Sequence, residues 1–305
     1  GIEEIEKAIS LDPKSPIILC AASWAYQRIG NHNKQKELIL KTIEIMPGFQ
    51  SIELNMARIY QNQYQWEKAE KYYNSFEKKP EYTDNPDNTF NLIGNKFYHY
   101  LMTNQYEQAN NILKEGETLF NSSLNKKGFN KINAFHIGRG FMKISDFHKA
   151  KKYFAILLEN FPENEFCHIV LGEALIGMGE YDQAFKYLKN AKSILDTMKW
   201  DNKDKSCHLF DMKFTEILGY IKMQDLENAY LGINNLKNYK SIYTYPSYRR
   251  LYTLYFLIGD LDKGYEWYNK YNLEQKLMEE LNTFDILYNP WCKSARNDKR
   301  FIDIL

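Results

Sequence analysis

The sequence predicts an all-α fold made of helical hairpins stacked side by side, and three observations predict it. Apolar residues recur three and four positions apart along most of the 305 residues, the spacing of a single helical stripe. The stretch from Lys131 to Asp196 holds two successive copies of one 34-residue pattern. Small residues (Gly138 and Ala150, then Gly172 and Ala184) stand at equivalent places in both copies, where they let two helices approach closely. One hairpin cannot bury both its stripes, whereas a stack can, so the pattern describes a solenoid.

In the first copy Ala134, Ile137, Gly138, Phe141, Phe147, Ala150, Phe154, Leu157 and Pro162 occur in order. In the second, His168, Leu171, Gly172, Leu175, Tyr181, Ala184, Leu188, Ala191 and Asp196 fall at the same places, with Gly179 in the intervening turn. This resembles a pair of tetratricopeptide repeats. That family's pattern has a small residue at the eighth and twentieth places, aromatics near the eleventh, seventeenth and twenty-fourth, and often Pro at the thirty-second. His168 and Asp196 depart from it. The resemblance implies a right-handed superhelical array that binds a segment of a partner protein in its concave groove, without catalysis.

With the twentieth-place residue as a ruler, the marks fall at Gly1, Gln35, Ala69, Ala109, Ala150, Ala184, Ala229 and Gly264, spaced by 34, 34, 40, 41, 34, 45 and 35 residues. A single solenoid is expected, with a half repeat over residues 1–15 and seven full repeats over residues 16–271. The first hairpin carries Leu19, Ala22, Tyr26 and Gly30, then Ile39 and Thr42; the second carries Met56, Ala57, Tyr60, Trp66, Ala69, Tyr73 and Phe76. Ile93, Phe97, Tyr100, Tyr106, Ala109 and Leu113 mark the third. The sixth keeps Tyr220, Leu226, Ala229 and Ile233, and the seventh Leu251, Tyr255, Gly259, Leu261 and Tyr268. The three long spacings coincide with polar, turn-rich segments, Glu81 to Asn88, Asn121 to Lys127 and Thr197 to Asp204, expected as loops or helix extensions at repeat junctions.

Residues 272–305 are expected to form a capping helix and tail, because the last apolar face of an array would otherwise meet water. Leu273, Leu277, Met278, Leu281, Phe284 and Leu287 have helical spacing, and Arg296, Asp298, Arg300, Phe301 and Leu305 would fold back behind them. That ending resembles the one found after repeat arrays in bacterial signalling proteins, including nucleotide cyclases and winged-helix regulators. It implies an alternative function, the regulatory region of a multidomain protein. The pattern is already in mid-repeat at Gly1, so the chain is expected to be part of a longer protein.

Forty basic against 39 acidic residues leave a net charge of +1, which supplies no global field for nucleic acid or an anionic membrane. The four cysteines, Cys20, Cys167, Cys207 and Cys292, are sparse and far apart, a usage that suits reduced thiols and a cytoplasmic location. The longest apolar run, Ile17 to Ala22, is far too short to span a bilayer.

The pairs Cys167-His168 and Cys207-His208 invite a zinc reading, yet adjacent helical residues point about 100° apart and rarely reach one ion together. Buried thiols and a core-packed His168 are expected instead, with no metal and no cofactor. Cys292 has no local signature of a nucleophile, and Gly138-Arg139-Gly140 lacks both the strand and the third glycine of a dinucleotide loop. The tyrosine cluster from Tyr239 to Tyr271 could offer a stacking platform, but Tyr248, Tyr252, Tyr255, Tyr268 and Tyr271 fall at core places of the repeat, while Tyr243 and Tyr245 do not. No enzymatic constellation emerges.

The resemblance does imply a binding face. In the family the second, fifth, ninth and twelfth places of each first helix line the concave groove. Here they give Trp24 and Gln27, Arg58 and Gln61, Tyr98, Arg139 and Met142, Glu173, and Arg249 with Thr253 and Phe256. Arg, Tyr and Trp are the residues of which interface anchors are made. Arg58 and Arg139 would favour acidic groups of the partner, and Trp24, Tyr98 and Met142 would supply apolar contact. The family's clamp for a C-terminal carboxylate is missing, since the fifth and ninth places of the first repeat are Cys20 and Trp24. An uncovered end repeat would allow a homodimer.

Overall fold

The computed structural model describes residues 2–28, 31–47, 49, 52–62, 65–79, 86–124, 133–199, 202–237, 244–277, 295 and 298–302. Among them every regular element is helical: fifteen helices of ten residues or more, and one of four. After α1 (Ile2–Leu11) they pair as hairpins. The pairs are α2 (Pro16–Arg28) with α3 (His32–Ile45), α4 (Ile52–Asn62) with α5 (Trp66–Glu77), and α6 (Pro86–Met102) with α7 (Tyr106–Ser123). Next come α8 (Asn133–Lys143) with α9 (Phe147–Asn160), α10 (Glu165–Met178) with α11 (Tyr181–Thr197), and α12 (Asn202–Lys222) with α13 (Leu226–Lys237). Rings of Tyr252 and Tyr268, 5.5 Å apart, join α14 (Thr244–Ile258) to α15 (Leu261–Leu277), and α16 (Lys299–Ile302) follows. This is an all-α helical repeat fold.

One turn, used seven times, makes the hairpins. The backbone N–H of the residue opening each second helix bonds to the carbonyl five residues back: Asn31 to Tyr26, Gln65 to Tyr60, Gln105 to Tyr100, Asp146 to Phe141, Glu180 to Leu175, Asp225 to Tyr220 and Asp260 to Tyr255. In the five turns whose preceding residue is described, that residue is left-handed: Asn104, Ser145, Gly179, Gln224 and Gly259 have φ between 58° and 82°. Such a residue closes off the orphan carbonyls of the first helix and redirects the chain. The side chains of Asn31, Asp146, Asp225 and Asp260 then accept from the N–H three residues on, capping α3, α9, α13 and α15.

The described ruler places are buried. Ala69, Ala109, Ala150, Ala184 and Ala229 are fully inaccessible, and Gln35 is 1% exposed. Helices approach closely at Gly138, where an added Cβ would lie 2.5 Å from Cε1 of Phe154, itself fully buried, and at Gly264, where it would lie 2.3 Å from Cδ1 of Phe256.

The chain forms two compact units, residues 1–123 with 272–282, and residues 124–271 with 283–305. In the first, Ile2, Ile5 and Ile9 of α1 lie on Leu19, Ala22, Tyr26 and Leu38. Further small cores follow, Cys20, Ile39, Ile52, Met56 and Ile59, then Leu54, Ala57, Ala69, Tyr73, Phe76 and Leu92. In the second unit, Ile169, Leu188, Ala191, Leu195 and Met212 join α10, α11 and α12, and Phe210, Phe214, Ile217, Ile233, Leu251 and Tyr255 join α12, α13 and α14. Each cluster is shared by neighbouring hairpins, as stacking requires.

The long spacings became longer helices. α6 has 17 residues, α7 has 18 and α12 has 21, so residues 86–88 and 121–123 are helical rather than loop. Residues 81–85, 125–127, and 200 and 201 of the same segments lie outside the described residues. Leu273 and Leu277, expected in a separate cap, belong to α15, and the rest of that expected helix, residues 278–294, also lies outside them. Two described positions beyond α15 contact it: Ala295 is fully buried and accepts from the Tyr265 hydroxyl at 3.2 Å, while Arg300 lies 4.4 Å over the Tyr265 ring and bonds Asp298 and Asp262. Among the described residues no helix is long and apolar enough to cross a membrane.

Two glycines test the packing. Gly138→Ala forces a Cβ into a buried ring and should cost about 1–3 kcal/mol. Gly94→Ala on α6, where an added Cβ meets nothing within 4 Å, should be stabilising by up to about 1 kcal/mol. Urea unfolding of the two variants beside the parent measures both.

Candidate partner-binding face

Trp24, Arg58 and Tyr98 occupy the ninth place of α2, α4 and α6, three successive first helices of the first unit. Trp24 is 45% exposed and Tyr98 39%, unusual values for large aromatics in a chain whose cores are aromatic-rich. Arg58 is half-buried; its Nη2 donates to Asn55 Oδ1 at 2.9 Å. Among the described residues no carboxylate lies within ion-pair distance of it. Burial lowers its pKa, offset in part by Tyr73.

The second unit treats the same place differently. Arg139 Nη1 lies 2.9 Å from Glu173 Oε2, and its guanidinium stands 5.6 Å from the Phe135 ring. These two ninth-place residues, 34 positions apart, therefore satisfy each other. Arg139 is not a free charge awaiting an acidic ligand, which corrects the sequence-based expectation.

The twelfth place is corrected as well. Gln61 is 4% exposed: it accepts from the Tyr73 hydroxyl at 2.6 Å and donates to Met102 Sδ on α6 at 2.9 Å, so the following hairpin covers it. Met142 is 3% exposed and serves packing, not open contact. Thr253 and Phe256 are buried too. The side chains of Gln27 and Arg249 lie outside the described residues. Of the expected face, the structure thus leaves Trp24, Arg58 and Tyr98 in the first unit and the closed Arg139–Glu173 pair in the second.

Cys167 is buried, and burial followed by the Glu165 charge pushes its thiol up to about 11. Burial also raises Cys20. Neither suits a thiolate ligand or nucleophile. His168 is buried with Nε2 2.9 Å from the Pro162 carbonyl oxygen. Among the described residues no three His, Cys, Asp or Glu side chains are grouped to hold a metal ion; the Cys207 side chain and Cys292 lie outside them.

Sequence reasoning missed one site element. His208 Nδ1 lies 2.6 Å from Glu165 Oε1, a carboxylate 3% exposed at the start of α10. Burial alone would raise the Glu165 pKa, but the hydrogen bonds from His208 and from backbone outweigh it and hold the carboxyl below its ordinary value. The signals available were the 45-residue spacing before Ala229 and the position of His208 inside it. A carboxyl whose folded pKa is depressed adds stability above its unfolded value, and that share is lost as pH falls through the lower folded value. Between roughly pH 5 and pH 3 the parent should therefore lose stability that Glu165→Gln does not lose; thermal melts of both across that range test the difference.

The comparisons bear on this geometry. A tetratricopeptide repeat profile matches residues 134–164, the hairpin of α8 and α9. No curated protein matches the sequence. Among solved structures, yeast Tom70 is similar with a TM-score of 0.53 at 16% identity, over 99% of this chain and 61% of that one. A tetratricopeptide repeat protein from Parabacteroides merdae is similar at 0.51 and 16% identity, over 92% and 99%. An IFIT1 monomeric mutant with Gppp-AAAA is similar at 0.51 and 17% identity, and the chain spans 66% of its length. The matched repeat and the sevenfold recurrence of one hairpin turn support the tetratricopeptide repeat superfamily, and the solved structures share the all-α helical repeat fold.

Proposed function

We propose that the chain is a non-catalytic protein-interaction scaffold whose first unit receives an acidic segment of a partner protein along α2, α4 and α6. The observation that supports this reading is Arg58, half-buried with no carboxylate among the described residues. Holding a charge out of water without a counter-charge is costly, and an arriving carboxylate removes that cost. The exposed rings of Trp24 and Tyr98, at the same repeat place on the flanking first helices, supply the apolar contact that anchors an interface. Gppp-AAAA in IFIT1 shows no more than the reach of the fold; a net charge of +1 supplies no field that tracks a phosphate backbone.

A second reading rests on the tail. Arg300 and Ala295 fasten the chain end to α15, as an array working inside a larger regulatory protein would need to close its last hairpin. Cytoplasmic location and self-association through an end hairpin belong to either reading.

Selection from a random peptide library should enrich Asp and Glu on the parent. Arg58→Ala should weaken the selected peptides about tenfold or more, the loss of one charge-assisted contact of about 1.5 kcal/mol. Arg139→Ala, whose charge Glu173 already holds, should alter them by about twofold at most. Selection without acidic enrichment, or equal effects of the two substitutions, would sink the assignment.

A further inference from the structure

The eleven residues by which the spacing from Ala184 to Ala229 exceeds the 34-residue unit lengthen the first helix of its hairpin. Counting nineteen places back from Ala229 puts the start of its repeat at Phe210, yet α12 begins eight residues earlier, at Asn202. This extension brings His208 to the turn between α9 and α10, and between them lies an open cleft of about 520 Å³. Its walls are Phe161, Pro162, Phe166 and Met198, and Glu165 and His208 supply its polar end. Phe161 is 39% exposed, and Phe166 is held by Phe135, ring centroids 5.2 Å apart.

The charge of the cleft decides what it can hold. Among the described residues its carboxylates are Glu163, which is exposed, and Glu165, which is buried. Among the described residues no Lys or Arg lines it, and the basic group there, His208, is already engaged by Glu165. An anion would meet two carboxylates, of which His208 faces only Glu165. A neutral apolar group would leave the carboxylate of Glu165 facing it. Glu165 accepts from His208 and from a backbone N–H, and a carboxylate has about four lone-pair sites, so acceptor capacity remains for a further donor. Asn164, the remaining polar lining residue, has its Oδ1 occupied in capping α10 through the Phe166 N–H.

We propose that this cleft is a second binding site, independent of the Arg58 face, which takes a lysine or arginine side chain of a partner protein. The aliphatic stem lies along Phe161, Phe166 and Met198, and the cationic head donates to Glu165 in a cleft that Glu163 also lines. The protein labelled with ¹³C-methyl methionine, its Met198 signal identified by Met198→Leu, is titrated with Nα-acetyl-lysinamide and separately with Nα-acetyl-norleucinamide, which keeps the stem and lacks the charge. Acetyl-lysinamide should move the Met198 signal saturably, with norleucinamide about tenfold weaker or more. Glu165→Gln should abolish the preference for lysine, and Phe161→Ala, an exposed position that leaves the core intact, should weaken lysine binding several-fold. Equal responses to the two probes, no response to acetyl-lysinamide at about 0.1 M, far above any useful affinity, or full binding by Phe161→Ala would each overturn the proposal.

Discussion

Everything in this chain depends on how closely the two helices of a hairpin can approach. Alanine at the twentieth place, fully buried in five hairpins, sets that distance, and the recurrent left-handed turn delivers the second helix to it. The two devices act on the same few residues: Asp146 receives the turn, caps α9 and accepts the Ala150 N–H on its carbonyl, four residues before the packing position. Because turn, cap and contact are contiguous, each hairpin forms from local sequence, and only its outer stripe waits for a neighbour. That is why the cores appear as a series of small clusters shared between adjacent helices and not as one interior.

This locality also decides what could be read in advance. Helix pairing and the ruler residues were legible because each is a consequence of residues within one repeat. The left-handed Ser145 and Gln224 were not, since neither residue type announces that conformation; it is imposed by the hydrogen bonds across the turn. The groove residues were legible only as places. Burial of Gln61 arises from Met102 on the next hairpin, and neutralisation of Arg139 from Glu173, a full repeat away. Repeat position fixes which helix face a side chain leaves from, whereas the neighbour's residue at the facing place fixes whether it stays open.

The ninth place shows this most clearly. Arginine stands there in both units, and its chemistry differs because the next first helix offers Tyr98 in one and Glu173 in the other. A carboxylate one repeat along closes Arg139 into an ion pair, part-exposed and worth little as a recognition element. With an aromatic neighbour instead, Arg58 keeps its charge, loses part of its hydration and carries a depressed pKa caused first by burial. Two occurrences of one residue at one repeat place thus stand in opposite electrostatic surroundings.

Insertions follow the same physics in reverse. A repeat array tolerates added residues at junctions because the packing of each hairpin is settled locally. Where residues were added before Ala229 they extended α12, and a longer helix must put its extra turns somewhere. Those turns bring His208 onto a carboxylate that the start of α10 would otherwise present to solvent. Glu165 is then buried, yet it stays ionised below the ordinary carboxylate range because its hydrogen bonds outweigh its desolvation. Departure from the 34-residue unit, not conformity with it, is what marks a place in this chain that the fold does not require.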